Sequence, residues 1–279
     1  MFDMLGITSD NKLSLNNVRS LKIGRAYDLS VIPDKNYKYA FKIETKDNCL
    51  FWLKTQPRFS NIKETAMYIN PTRLEGYEDL KQITLQTLGE NLNINRVDLC
   101  SDLPIPIQEI NSRIRIKYKQ KRSDFEYGDQ LTGFYYGTRN EVIAIYDKAR
   151  QLDKFHDYKI KKNIEHKQSG ELTRVEIRLK GNKIPYSHLD QLESYVNHNP
   201  FSMVQIVDFP NHQSEKEFKK RKAENLKSLA EVYGFNAAYK ILSRSGNFTK
   251  TYRQYISSSR LNQILLEQYQ ESIRDFLKK

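Results

Sequence analysis

The sequence predicts an α+β protein: a central antiparallel β-sheet flanked by helices, then a helical C-terminal segment. Three observations carry this. Several runs alternate apolar and polar side chains with the period of two that belongs to half-buried strands. Residues 75–90 shift to a helical period. Past Pro210 the strand signal fades and charged helical patterns take over. The expected division is therefore 1–210 as a sheet-bearing domain and 211–279 as a helical segment.

Residues 1–20 are polar with scattered apolar positions, and are expected to wrap the surface. Lys38-Tyr39-Ala40-Phe41-Lys42-Ile43-Glu44 alternates, Cys49-Leu50-Phe51-Trp52-Leu53 is a short apolar run, and Lys46-Asp47-Asn48 between them reads as a hairpin turn. Glu64 to Asn70 forms a third strand stopped by Pro71. Tyr77, Leu80, Ile83 and Leu88 share one side of a helix, Leu85 does not, and Gly89 ends it. In Asn95 to Asp102, Val97 and Leu99 take one face of a strand, and Arg96, Asp98 and Asp102 take the other. Ser112 to Lys119 alternates strictly, placing Arg113, Arg115, Lys117 and Lys119 on one face. That face is either simply solvated or contacts phosphate.

Phe134 to Thr138 and Val142 to Lys148 read as strands paired around Arg139-Asn140. Residues 151–170 are a polar, Lys-rich connection. In Thr173 to Leu179, Val175, Ile177 and Leu179 face one way, while Arg174, Glu176 and Arg178 face the other. Tyr186, Leu189, Leu192 and Tyr195 suggest a helix. Further helices are expected over 213–233, stopped by Gly234, and over 236–243, 249–256 and 260–277. Leu226–Tyr233 and Asn236–Leu242 faintly resemble a helix-turn-helix, and read more simply as a helical hairpin packed on the sheet.

The chain has 46 Lys+Arg against 34 Asp+Glu, a net charge of +12. Such a surface suits a polyanion, nucleic acid first. The basic residues are not gathered in one tail, which argues against a disordered nucleic-acid arm. Eighteen tyrosines can stack on unpaired bases, although most read as half-buried strand residues. Cys49 and Cys100 lack metal-binding neighbours and read as buried thiols of a reducing compartment. No run approaches the roughly 20 apolar residues that span a bilayer. Neither a signal peptide nor a phosphate-cradling glycine loop is visible, so a cytoplasmic protein without ATPase activity is expected.

If the three charged strands share a sheet, carboxylates and arginines line one surface, and Tyr146 joins them. Carboxylates hold hard divalent cations, arginines hold phosphate, and a tyrosine can attack it. Such a surface suits metal-dependent cutting of DNA through a tyrosyl phosphodiester. Asp98 and Glu176, with Asp102, are the candidate ligands for Mg²⁺ or Mn²⁺. Asp98 and Glu176 could equally pair with Arg96 and Arg174 as an ionic ladder, and Asp102 could cap a strand end before Pro104.

Arg96-Val97-Asp98-Leu99, Tyr135-Tyr136-Gly137-Thr138-Arg139, Ile145-Tyr146-Asp147-Lys148 and Thr173-Arg174-Val175-Glu176-Ile177-Arg178-Leu179 together resemble the Rep_trans family of replication initiation factors. These are initiators of rolling-circle plasmids, relaxases of some integrative elements and replication proteins of some filamentous phages. The resemblance covers residues from about 90 to 200. It implies a nicking-closing enzyme in the 1–210 region, with Tyr146 as the nucleophile. Such an enzyme stays linked to the 5′ phosphate of origin DNA and frees a 3′-hydroxyl that primes synthesis.

The wider relaxase class carries a His-hydrophobe-His metal motif. None of His156, His166, His188, His198 and His212 lies two residues from another, so any metal would rest on the carboxylates. Lys148, Arg139 and Arg174 are the groups expected to lower the pKa of Tyr146. Partners implied by the resemblance are origin DNA, double-stranded with a single-stranded or cruciform nick site, and a second copy of the chain. The 211–279 segment, with Lys219, Lys220, Arg221 and Lys222, could recognise that DNA or a host helicase. Two rivals stand beside this reading: a non-catalytic DNA-binding regulator on the same fold, and an RNA-binding protein using the aromatic sheet face.

Overall fold

The structure is a computed structural model and describes residues 1–19, 27–45, 50–117, 121–154, 172–207, 217–243 and 259–279. The strands are β1 (Phe2–Ser9), β2 (Tyr27–Val31), β3 (Tyr37–Thr45), β4 (Leu50–Pro57), β5 (Thr65–Ile69), β6 (Asn93–Leu103), β7 (Ile114–Ile116), β8 (Arg122–Tyr127), β9 (Gln130–Thr138), β10 (Glu141–Asp147), β11 (Thr173–Lys180) and β12 (Val204–Ile206). The α-helices are α1 (Leu15–Arg19), α2 (Tyr77–Leu88), α3 (Ile107–Arg113), α4 (Lys148–Lys154), α5 (Glu217–Tyr233), α6 (Phe235–Leu242) and α7 (Arg260–Lys278). Ten strands form one antiparallel sheet in the order β2-β3-β4-β5-β1-β6-β11-β10-β9-β8, and β7 pairs with β12 apart from it. The expected class, an antiparallel sheet flanked by helices with a helical C-terminal segment, is the class observed.

The strand order divides into two halves that meet at β1 and β6. In each half the first strand lies beside the last strand of the meander that follows it: β1 beside β5, and β6 beside β11. This shared topology was not visible as a sequence repeat.

One face of the sheet is apolar. Rows such as Leu5–Ile69–Phe51–Ile43 and Leu99–Ile177–Ile143–Tyr136 run across the strands in register. These side chains are buried with Leu80 and Ile83 of α2, Ile107 and Ile110 of α3, and Leu265, Tyr269 and Ile273 of α7. The helix over residues 75–90 is α2, and Leu85 points outward as its phase requires.

Several expectations are corrected. Residues 2–9 do not wrap the surface. They form β1, hydrogen-bonded to β5 and β6 near the middle of the sheet, because Phe2, Leu5 and Ile7 fill the apolar face. The strand expected over 112–119 is only Ile114–Ile116. Arg113 closes α3 and pairs with Glu109 at 2.7 Å, the favourable i,i+4 helical spacing. The Tyr186–Tyr195 helix is instead a 3₁₀ segment at Leu189–Val196.

The C-terminal region does two jobs. α5 and α6, joined at Gly234, bury Leu226, Ala230, Phe235 and Ala238 together with Val207. α7 belongs to the main core, and Tyr269 donates a hydrogen bond to the Tyr195 carbonyl at 3.0 Å. The expected helix over 249–256 and most of the 151–170 connection lie outside the described residues.

If α7 completes the core, Ile273→Ala should destabilise the whole protein by about 2–5 kcal/mol. A single shifted urea transition would show it, whereas loss of α7 alone in a separate early transition would contradict it.

Candidate active site

The second face of the sheet carries charge at its centre. Register sets Arg178 opposite Asp98, Glu176 opposite Cys100, and Arg174 opposite both Asp102 on β6 and Tyr146 on β10. Asp98 and Glu176 are each 1% exposed and Arg174 is 5% exposed. Buried charges demand partners, and these have them. Arg96 chelates Asp98 with two hydrogen bonds. Arg178 grips Glu176 at 2.7 and 3.1 Å. Arg174 holds Asp102 in a bidentate pair at 2.6 and 2.8 Å and reaches Asp3 at 2.6 Å.

Tyr146 is partly exposed and donates its phenol proton to Glu176 Oε2 at 2.9 Å. Burial, then the neighbouring Glu176 carboxylate, pushes the Tyr146 phenol far above its ordinary pKa. Burial alone would push the Glu176 carboxyl up, but the Arg178 guanidinium outweighs it and leaves Glu176 below its usual range. Asp98 goes the other way: burial carries it up to about 6, with Arg96 only partly offsetting. Burial would also raise Asp102, yet Arg174 holds it low.

The strand-to-helix switch after Tyr146 has a local cause. Asp147 accepts the Arg150 backbone N–H at 2.9 Å, which caps the start of α4. Lys148 thus begins a helix instead of extending the strand. Its ammonium still lies 5.9 Å from the Tyr146 ring centroid and donates to Gln151 Oε1 at 2.9 Å. Burial and the Arg174 charge lower the Lys148 pKa.

Of the expected site residues, Tyr146, Glu176, Asp98, Asp102, Arg174 and Lys148 gather on this face. Arg139 does not. It is exposed at the β9–β10 turn, at the far end of a strand roughly 20 Å long. The basic row also departs from expectation: Arg113 is helical and Arg115 stacks on Tyr239 at 3.9 Å. Lys117 hydrogen-bonds the Met203 carbonyl through its backbone N–H. Lys119, Cys49, His156, His166 and His212 lie outside the described residues.

Sequence reasoning missed Asp3, whose role depends on β1 being a sheet strand. It placed Arg178 on the correct face without assigning it the Glu176 contact. Gly133 was also missed. It sits opposite Tyr146, and a Cβ there would lie 2.8 Å from the tyrosine Cβ. The lack of a side chain lets β9 close against the strand that carries Tyr146.

No three His, Cys, Asp or Glu side chains converge among the described residues. Mg²⁺ is commonly held by one or two carboxylates plus substrate phosphate. The buried carboxylates Asp98 and Glu176 are of the chemical kind that such a site uses, although each is already paired with a guanidinium, Arg96 and Arg178. Asp102 is committed to Arg174.

No protein-family model matches the chain, and no curated protein matches it. Among solved structures, a rolling circle replication initiator protein from Geobacillus stearothermophilus is similar at 12% identity, over 82% of this chain and 96% of that one, with a TM-score of 0.44. A likeness of that size carries no functional argument. No helix among the described residues is long and apolar enough to cross a membrane.

If the ladder holds these strands, Asp102→Ala leaves Arg174 without its bidentate partner and should cost about 3 kcal/mol. Arg139→Ala, at the exposed turn, should stay within about 0.5 kcal/mol. Urea unfolding of the two variants side by side compares them, and equal effects would contradict the ladder.

Proposed function

We propose that this protein initiates rolling-circle replication or strand transfer by nicking one strand of origin DNA. Tyr146 attacks a phosphodiester, becomes linked to the 5′ phosphate and releases a 3′-hydroxyl primer. The observation that carries this is the 2.9 Å hydrogen bond from the Tyr146 phenol to Glu176, on a face held by Arg174 and Arg178. A neutral phenol is a weak nucleophile. A carboxylate at hydrogen-bond distance can take its proton as the oxygen–phosphorus bond forms.

In this reading the bond to the 3′ oxygen breaks as the tyrosyl bond forms. Lys148, whose pKa is lowered by burial, returns a proton to that leaving oxygen in this reading. Arg174 and Arg178 offset the charge that gathers on the five-coordinate phosphorus. The reverse sequence reseals the strand without ATP, because the tyrosyl ester conserves the energy of the broken bond. Asp98 and Glu176 would hold a Mg²⁺ or Mn²⁺ ion, whose chemistry is to polarise the scissile phosphate. Origin DNA is the proposed partner; a host helicase and a homodimer belong to the same proposal.

One observation favours the rival regulator reading: each carboxylate already has a guanidinium, as a purely structural ladder would require. Metal dependence separates the two, since phosphate binding by Lys and Arg alone is salt-sensitive and metal-indifferent.

The decisive experiment uses supercoiled DNA carrying the protein's own flanking sequence, with Mn²⁺ or EDTA, analysed on denaturing gels. Tyr146→Phe should lose roughly a thousandfold or more of the nicking while still binding duplex. Glu176→Gln should lose about 10²- to 10⁴-fold. Equal nicking by Tyr146→Phe would end the proposal, and binding without covalent product in either buffer would favour the regulator.

Nicking should also fall as pH drops through about 6, where Asp98 takes a proton and loses the charge that a cation needs. Rates between pH 5 and 8 test this. A flat profile would remove Asp98 from the metal site.

A further inference from the structure

The first half of the sheet repeats the topology of the half that carries Tyr146. On the same face lies a cavity of about 570 Å³ lined by residues of that first half and of β6 and β11. Trp52 of β4 and Tyr68 of β5 are register partners on this face, both partly exposed. Gly6 of β1 lets them settle: a Cβ there would lie 2.8 Å from the Tyr68 ring and 2.5 Å from Asn95 Oδ1. Three cations border the same space. Lys54 sits 5.0 Å from the Tyr68 ring centroid and pairs with Asp34 at 2.6 Å. Arg96 and Lys180, opposite each other on β6 and β11, close the side toward Tyr146. Asn95 also lines the cavity.

Each feature suits one occupant. Aromatic side chains stack on bases of any identity, and nearby cations hold the connecting phosphates. The cavity is continuous with the proposed catalytic face. From Lys180 the row runs through Arg178 to Glu176 along β11, roughly 13 Å of strand. A strand whose phosphate lies at Tyr146 can therefore cross Arg178 and Arg96 and reach the aromatics within a few nucleotides.

We infer that the Trp52–Tyr68 cavity is a subsite for an unpaired base of the DNA strand being cut. This rests on the nicking proposal for the identity of the strand. It adds that the first half of the sheet grips the melted strand while the second half cuts it. Stacking requires an open base, so the subsite would bind single-stranded DNA near the nick and ignore intact duplex.

Trp52 is the only tryptophan in the chain, so its fluorescence reports this cavity alone. The test titrates the full chain, carrying Tyr146→Phe to prevent cutting, with a mixed-sequence single-stranded oligodeoxynucleotide, a blunt duplex and a free mononucleotide. The single strand should quench Trp52, and the other two should not at equal nucleotide concentration. Tyr68→Ala and Lys54→Ala should each weaken the quenching affinity by roughly tenfold. In chains that retain Tyr146 the same changes should raise the KM for nicking and leave kcat near its starting value.

Single-strand binding by anisotropy without any Trp52 response would overturn the inference, as would equal quenching by the mononucleotide. If Tyr68→Ala fails to fold by circular dichroism, Lys54→Ala and the direct quenching decide. Quenching as described in a protein whose Tyr146 form never nicks would leave the subsite standing and remove the nicking proposal instead.

Discussion

The burial of charge at the centre of the sheet governs the rest of the structure. Asp98, Glu176 and Arg174 sit on β6 and β11, adjacent strands inside the sheet, almost without solvent. An isolated charge there would be costly enough to change protonation or unfold the strand. Pairing removes that cost only when geometry is fixed. The bidentate grip of Arg174 on Asp102, which crosses from β11 to β6, therefore locks register as well as charge, while Arg178 neutralises Glu176 from within the same strand. A slip of one residue would turn the charged row into the apolar core. The same lock holds Glu176 where the Tyr146 phenol meets it. Stability and chemistry share one set of contacts.

The parts legible in the sequence were those with a strict period. Strands β6, β10 and β11 alternate cleanly because one face meets the core and the other the charged row. Tyr146, Asp98, Glu176, Asp102 and Arg174 could thus be placed on one surface before any pairing was known. The partners could not. Alternation fixes a face but not which residue lies opposite, and Glu176 took the guanidinium two residues along its own strand. β1 was lost because a strand at the sheet's middle need not alternate: Thr8 and Ser9 are buried along with Leu5 and Ile7. The basic run near Arg115 misled for another reason. Arg113 satisfies Glu109 one helical turn earlier, so a period of two there began inside a helix.

The two halves of the sheet share connectivity yet have diverged in chemistry. The second half spends its polar face on ionic pairs, and the first carries Trp52, Tyr68 and Lys54 in the corresponding rows. An antiparallel sheet tolerates this because its open face is constrained by charge and shape far more loosely than its core face. Similar scaffolds side by side place two different surfaces on one continuous plane, a suitable frame for a long, flexible polyanion.

Charge balance shows what the site needs when phosphate arrives. Asp3, Asp98, Asp102 and Glu176 face Arg96, Arg174, Arg178 and the Lys148 ammonium, so each carboxylate of the face already lies beside a cation. The Tyr146 pKa is raised chiefly by burial and then by the neighbouring Glu176 carboxylate. A phosphodiester adds a negative charge, and the transition state concentrates it further. In the proposed reaction Arg174 and Arg178 offset part of that charge, and a proton or a cation would supply the rest. Asp98, already displaced to about 6, is the group readiest to accept either. A proton there would balance the substrate but leave phosphorus no more electrophilic. A divalent cation would do both, and in the proposed nicking reaction Asp98 and Glu176 would be the groups to hold it.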